Sequence, residues 1–314
     1  MNKKIAAIDI GSNSFHLIIA YIDEEGQIQI LERARKVLRL NFDNQYNRIP
    51  QEAIHRAITL LNSFKSVAQK HNAEIKAVAT SAVREAENKT EFLRQIYNKT
   101  KINIEVINGN KEAELIYLGI RYAINLNNRT ALCIDIGGGS TEVIIGKNKQ
   151  VEYAESLNLG AVRLTQMFFK NSVVNKENIE KCKKYIESKL SEIVSIIKKY
   201  KVDLTVGTSG TINAIALIKN AMENKEVSRE QLNGVSFSFQ ELKLIEKEIL
   251  SAKNLEERKK IKGLEEKRAD VISAGIILLT TIFEMLKIEN IVISSYALRE
   301  GIVIDSLIEH KILS

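Results

Sequence analysis

Two stretches of this chain combine carboxylates, glycines and hydroxyls in a pattern suited to gripping a row of phosphates. One is "AIDIGSNSFHLIIA", Ala7 to Ala20; the other is "CIDIGGGSTEVIIG", Cys133 to Gly146. At an offset of 126 positions (Asp9 to Asp135), Ile8-Asp9-Ile10-Gly11 falls on Ile134-Asp135-Ile136-Gly137. Ser14 falls on Ser140, and Ile18-Ile19 on Ile144-Ile145. Glycines at a turn tip remove the Cβ atoms that would keep an anion away from backbone N–H groups. Gly11, Ser12, Asn13 and Ser14 form one such turn; Gly137, Gly138, Gly139, Ser140 and Thr141 form the other. The hydroxyls of Ser12, Ser14, Ser140 and Thr141 add donors. Asp9 and Asp135 end the runs that feed the turns, and Glu142 follows Asp135 by seven residues. Carboxylates beside phosphates suit a hard divalent cation, so Asp135, Glu142 and Asp9 are the expected ligands of Mg²⁺ or Mn²⁺. A single Asp-Ile-Gly turn reads as an ordinary hairpin; two copies spaced a domain apart argue for a phosphate-binding pair.

A third glycine-rich element is "VGTSGTINA", Val206 to Ala214. It follows a strand pattern and opens a helical one, which is the setting for anion binding at a helix N-terminus. Gly207, Thr208, Ser209 and Gly210 are the candidates there. Plain helix capping by Ser209 or Thr211 is the competing reading.

The elements that must carry these turns follow from periodicity. Ile5 to Ile10 reads as a buried strand, Phe15 to Tyr21 as its return, and "GQIQILERARKVLRL" as a third strand. Ile49-Pro50 opens a helix with apolar residues at Ile54, Ala57, Ile58, Leu61 and Phe64. "IKAVAT", "KTEFLRQIYNKT" and "INIEVI" then alternate strand, helix and strand, and a helix runs from about Lys111 to Ile124. The pattern restarts with "TALCIDI", "TEVIIG" and "KQVEYAESLNLG" as three strands. A long amphipathic helix, the "VDLTVG" strand, further helices, the "NIVISS" strand and a final helix complete it. This is an α/β architecture built twice. The expected domains are 1–125 and 126–299, with the helix of 300–314 packing back on the first.

Bulk composition narrows the function. The 314 residues are enough for two domains, and 45% hydrophobic content supplies their cores. The apolar run "VISAGIILLTTIF" from Val271 is too short for a membrane span and reads as a buried helix. Asp9 interrupts the apolar N-terminus, so a signal peptide is not expected, and neither of the two cysteines suggests a disulfide or a metal site. A cytoplasmic location is expected, with no membrane partner. Net charge is +7, compatible either with an anionic partner or with solvated surface lysines. DNA is not an expected partner, because aromatics make up 6% of the chain and are not interleaved with basic residues.

Taken in order, "DIGSNSFHL", "TSAVREAEN", "EAELIYLGI", "DIGGGSTE", "NLGAVRLT", "GTSGTINA", "RADVISAG" and "ALREGIV" resemble the motifs of the exopolyphosphatase and guanosine pentaphosphate phosphohydrolase (Ppx/GppA) family. That family belongs to the actin, Hsp70 and sugar-kinase superfamily. The resemblance covers nearly the whole chain, which looks like a short, two-domain member. It implies two duplicated actin-like (ribonuclease H-like) α/β domains with an interdomain phosphate-binding cleft. By resemblance, Glu112, followed by Ala113, Leu115 and Ile116, activates water. A phosphoanhydride hydrolase needs such a carboxylate near the terminal phosphorus in any case. The bland alternative is an acid favoured in the first turn of a helix. Arg84 matches a family arginine that reaches the phosphates, which suits its planar fork; a salt bridge to Glu85 or Glu87 competes. Lys189 matches a family lysine that faces the cleft, against a plain solvated helix face. Arg268 and Asp270 read as a structural ion pair. The chain departs from the family where two acids in a row become Lys111-Glu112, where "S-D-G" becomes Ser294-Ser295-Tyr296, and where "RLNFDNQ" lacks glycines.

These residues predict a metal-dependent hydrolase that removes the terminal phosphate of linear polyphosphate. Guanosine pentaphosphate is the alternative substrate. An acceptor-phosphorylating kinase, or a non-catalytic alarmone or nucleotide sensor, ranks below both. A homodimer is one way to supply the surface that further helical domains give longer relatives.

Overall fold

The computed structural model describes residues 2–40 and 47–309. Most of the "RLNFDNQ" loop and the end of the expected 300–314 helix therefore lie outside the described residues. The chain divides into two compact units, Met1–Gly119 with Tyr296–Ser314, and Ile120–Ser295.

In the first unit, β1 (Ile5–Ile10), β2 (Ser14–Ile22) and β3 (Ile28–Val37) form an antiparallel meander. Then come α1 (Gln51–Lys70), β4 (Glu74–Ala79), α2 (Ser81–Glu85), α3 (Lys89–Thr100), β5 (Ile104–Val106) and α4 (Gly109–Ala123). The sheet order is β3-β2-β1-β4-β5, with β4 parallel to both β1 and β5. Strand β1 lies at the centre and is covered on both faces, which is why "IAAIDI" is almost unbroken in its apolar character. Edge strand β3 shows no such run. Helix α1 buries Ala53, Ile54, Ala57, Leu61, Phe64 and Ala68, a single helical stripe. Pro50 stands just ahead of it at the N-cap, one position earlier than the expected first turn.

The second unit repeats the plan. Strands β6 (Thr130–Ile136), β7 (Thr141–Lys147) and β8 (Gln150–Leu157) form the meander. They are followed by α5 (Ala161–Phe168), α6 (Lys176–Ile197), β9 (Leu204–Thr208), α7 (Ser209–Met222), β10 (Ser236–Ser238), α8 (Phe239–Ser251), α9 (Leu255–Lys259), α10 (Ile272–Leu286) and β11 (Asn290–Ile293). The order is β10-β11-β9-β6-β7-β8, so β8-β7-β6-β9-β11 retraces the first sheet and β10 is an addition. Helix α10 is enclosed from Ile272 to Phe283, which explains its lack of amphipathic pattern.

The last helix, α11 (Leu298–Glu309), packs on β1, β2 and β4 of the first unit. It crosses α4 backbone to backbone. A Cβ on Gly119 would lie 2.2 Å from the Ala297 carbonyl oxygen, and one on Gly301 would lie 1.9 Å from that of Leu115.

Candidate active site

In the first unit, the β1–β2 register pairs Ile10 with Phe15 and Asp9 with His16. Gly11 N donates to Ser14 O at 3.3 Å, which leaves Ser12 and Asn13 as a two-residue tip. The tip carbonyls are occupied by the segment after β3: Leu38 N and Arg39 N donate to Asn13 O, and Leu40 N donates to Ser12 O, at 3.0–3.1 Å. The Ser12 and Asn13 amides donate to no backbone carbonyl among the described residues. One hydrogen-bonding side of the tip is thus fixed and the other is available to an anion. The Ser12 hydroxyl lies 3.2 Å from that of Ser81, and the Ser14 hydroxyl is 2.8 Å from His16 Nε2.

Beside this turn stand the expected base and its arginine. Helix α4 begins where the Asn108 side chain accepts from Lys111 N at 2.9 Å, two residues earlier than the sequence pattern placed it. Glu112 lies in its first turn with 5% of its surface exposed. Arg84 Nη1 donates to Glu112 Oε2 at 2.8 Å and to the Ile107 carbonyl at 3.0 Å. The arginine's partner is therefore neither Glu85 nor Glu87. Burial raises the Glu112 carboxyl above its ordinary range, while Arg84 pulls it back. Asp9 is pushed up to about 7 by burial, with Arg299 opposing and Glu112 and Glu300 adding to the rise. Its neighbours Arg299 and Glu300 come from "ALREG", a motif that pointed to the family but to no role. Lys111, the reversed charge, pairs with Asp305 of α11 at 2.9 Å.

The second turn closes in the same way. Gly137 N donates to Ser140 O at 2.9 Å, with Gly138 and Gly139 at the tip. Its carbonyls are held by the start of α5. Ala161 N donates to Gly137 O at 3.0 Å, Val162 N and Arg163 N donate to Gly138 O, and Arg163 Nε donates to Gly139 O at 2.8 Å. A Cβ on Gly160 would lie 2.3 Å from Gly138 O, so α5 can reach the turn only through a glycine. Gly160 and Arg163 belong to "NLGAVRLT", and only the fold reveals their purpose. The Gly138 and Gly139 amides donate to no backbone carbonyl among the described residues. The register sets Asp135 opposite Glu142, both nearly enclosed, and Ser156 Oγ donates to Glu142 Oε1 at 2.7 Å.

Several expected ligands are engaged elsewhere. The Thr141 hydroxyl donates inward to Leu159 O at 2.5 Å and has no exposed surface, so it is a structural tie rather than an outward donor. Ser209, at φ 87°, donates to Ile136 O at 2.7 Å and ties the start of α7 to β6. Thr208 Oγ1 donates to Ser294 O at 3.2 Å and makes no cap. The space left by Gly207 is filled by Ile291 and Ile212, and that left by Gly210 by the Arg268 guanidinium. These glycines serve packing and an arginine; the backbone amides at the start of α7 are what remains of the third element. Arg268 itself reaches Glu265, 3.7 Å away. Lys189 is exposed on α6, its ammonium 5.7 Å from the Tyr185 ring centre. No group of three or more His, Cys, Asp or Glu side chains gathers into a metal cage among the described residues. Asp135 and Glu142 nevertheless fit a Mg²⁺-type ion, which commonly takes one or two carboxylates and completes its shell with water and substrate phosphate.

Comparison with known proteins identifies the family and the fold. Residues 18–310 match the model of the Ppx/GppA phosphatase family. A Haemophilus influenzae protein named as a candidate exopolyphosphatase is 35% identical over 96% of this chain and 90% of its own. The guanosine-5'-triphosphate,3'-diphosphate pyrophosphatase of Vibrio vulnificus is 34% identical over 97% of this chain, which spans 59% of that longer relative. Among solved structures, an exopolyphosphatase from Cytophaga hutchinsonii superposes with a TM-score of 0.91 at 28% identity, covering 98% of both chains. A Ppx/GppA member from Aquifex aeolicus gives 0.83 at 29% identity, covering 99% of both. The two α/β units are the actin-like pair of those structures.

Proposed function

The chain belongs to the Ppx/GppA phosphatase family, whose members hydrolyse phosphoanhydride bonds, and on that premise we propose that it removes the terminal phosphate of linear polyphosphate. The observation that carries this reading is the part-buried Arg84–Glu112 pair, near Asp9 and next to a turn with free-facing amides. Glu112 is the base: its raised affinity for a proton suits a carboxylate that must take one from water. Arg84 holds Glu112 in line and supplies a fixed guanidinium for charge that develops on the phosphoryl group. The amides of Ser12, Asn13, Gly138 and Gly139 and the Ser140 hydroxyl bind phosphate oxygens. Asp135 and Glu142, paired across the second turn, would hold Mg²⁺ or Mn²⁺. The metal, when bound, neutralises phosphate charge. The rest of the rate enhancement comes from positioning and preorganised electrostatics.

Guanosine pentaphosphate is the second reading. The Vibrio relative is named for that substrate, and its terminal phosphoanhydride needs the same groups. A cytoplasmic site of action fits two free, buried cysteines, whose thiols burial pushes up to about 12. No helix among the described residues is long and apolar enough to cross a membrane.

The test is phosphate release with Mg²⁺ from long-chain polyphosphate, tripolyphosphate and guanosine pentaphosphate, with Glu112→Gln as control. Release from polyphosphate that vanishes in the variant supports the proposal. Release from the pentaphosphate alone promotes the second reading. Silence on all three, with binding intact, overturns both in favour of a sensor.

A further inference from the structure

Glu300 is an acid with no exposed surface, sitting in the first turn of α11. Acids are rarely enclosed so completely unless they are paired. One oxygen has a simple purpose: Oε2 accepts from Ala297 N at 3.0 Å, as an acid at the third position of a helix commonly does. A neutral glutamine would make that bond equally well. The charge must therefore answer to the other oxygen, Oε1, which lies 3.8 Å from both Arg33 and Arg299.

The surroundings hold this group still. Helix α11 cannot slide along α4, because Gly119 meets Ala297 and Gly301 meets Leu115 backbone to backbone. The Lys111–Asp305 pair fastens the same two helices one residue from Glu112. Arg299 thus stands on a rigid element that also packs on β1, the strand bearing Asp9. Its charge acts on Asp9, and Arg84 holds Glu112.

We propose that Glu300 is a positioning residue of the hydrolytic centre, holding the Arg299 guanidinium in place as a second fixed positive charge beside the Asp9 carboxylate. The inference rests on the hydrolase reading above and deepens it. Glu300 touches no substrate; it acts through Arg299. Fixed charge that needs no rearrangement during the reaction is worth more than the same charge on a mobile side chain.

The experiment is a double-mutant cycle of Glu300→Gln and Arg299→Gln, read as kcat and KM on the substrate that the wild type turns over. Each single variant is expected to lower kcat roughly tenfold while KM holds, and the double variant to lose no more than either single one, since residues acting as a unit are not additive. A helix-cap role alone predicts Glu300→Gln with both Tm and kcat intact, since glutamine keeps the bond to Ala297 N, and that result overturns the proposal. So do losses that multiply in the double variant. Should Glu300→Gln fail to fold, Arg299→Lys carries the test: its charge remains but the fork is gone, so kcat falls in the same way, and wild-type kcat there overturns the proposal. A wild type silent on every phosphoanhydride overturns the hydrolase reading and this inference with it. An active wild type with an unchanged Glu300→Gln defeats this inference alone.

Discussion

The hairpin at Gly11–Ser14 and the hairpin at Gly137–Ser140 close with the same hydrogen bond and the same two-residue tip, yet different chemistry is packed around them. Behind the first, a loop segment from Leu38 to Leu40 fixes the tip, and the neighbours are charged: Asp9, Glu112, Glu300 and the arginines at 33, 84 and 299. Behind the second, the start of a helix fixes the tip, and the register brings two carboxylates together, Asp135 and Glu142. Position 16, opposite Asp9, is histidine; position 142, opposite Asp135, is glutamate. Backbone geometry has been kept in both copies while the side chains have divided the work. The first copy carries the proposed base, Glu112, and the arginines around it. The second carries the paired acids and the tip with the barest backbone.

The largest expected effect tests that division directly. Glu112→Gln should lower kcat by about 10²–10⁴, the usual worth of a positioned general base, while Asp135→Asn should mainly raise the Mg²⁺ needed for half-maximal rate. Steady-state rates across a metal titration check both. If Glu112→Gln were the variant rescued by excess metal, the two copies would not divide as described.

A pH profile sharpens the first half of the comparison. Glu112 must be ionised to accept a proton, and burial raises its carboxyl above the ordinary range. Activity is therefore full above that raised value and is lost as pH falls through it, so the acid limb of kcat/KM lies higher than for a solvated glutamate. Arg84 opposes the rise, which means that Arg84→Gln should move the limb to still higher pH as well as slowing the reaction. A limb that stays put in that variant would detach Arg84 from Glu112 in solution.

Much of this division could be read in the sequence, for physical reasons that also explain what could not. The duplicated Asp-Ile-Gly turns are local: a strand, a tip and a returning strand settle their own register within about a dozen residues. The first two strands of each meander and the enclosed helix α10 followed from apolar runs of the right length. Glu112 and Arg84 came from resemblance, and only the fold shows that they hold each other. Glu300 and Arg299 stayed hidden because their roles depend on α11 packing against elements nearly 300 residues earlier in the chain, such as β1. The packing around the third glycine element was hidden for a related reason. Gly207 and Gly210 look like an anion cradle in one dimension, but Ile291, Ile212 and Arg268 arrive from distant segments to fill the room. A glycine shows that something comes close, not what it is.

Gly160 tests what stands behind the second turn. A methyl group there would meet Gly138 O at 2.3 Å, and neither backbone can move without breaking the bonds from α5 to the tip. Gly160→Ala should cost about 1–3 kcal/mol of stability, as overpacking commonly does, and should weaken phosphate-chain binding along with it. Thermal unfolding and a binding titration check the pair. Loss of stability with binding intact would show that the tip amides tolerate displacement and are not the phosphate grip.

The smallest expected effect concerns the first copy. Lys111 replaces an expected acid and pairs with Asp305, with side chains 38% and 31% exposed. Exposed pairs are worth about 0–1 kcal/mol, so Lys111→Glu should barely lower Tm. Its effect on rate is the sharper measure, because Lys111 precedes Glu112 in the first turn of α4. A glutamate there would face Asp305 as a like charge and press α4 away from α11. The exchanged pair Lys111→Glu with Asp305→Lys restores the attraction. If the tie serves to seat Glu112, kcat should fall a fewfold in the single variant and recover in the exchanged pair, within the coupling usual for residues in contact. Equal rates in all three proteins would mean that the glycine contacts between α4 and α11 seat the base without help from the ion pair.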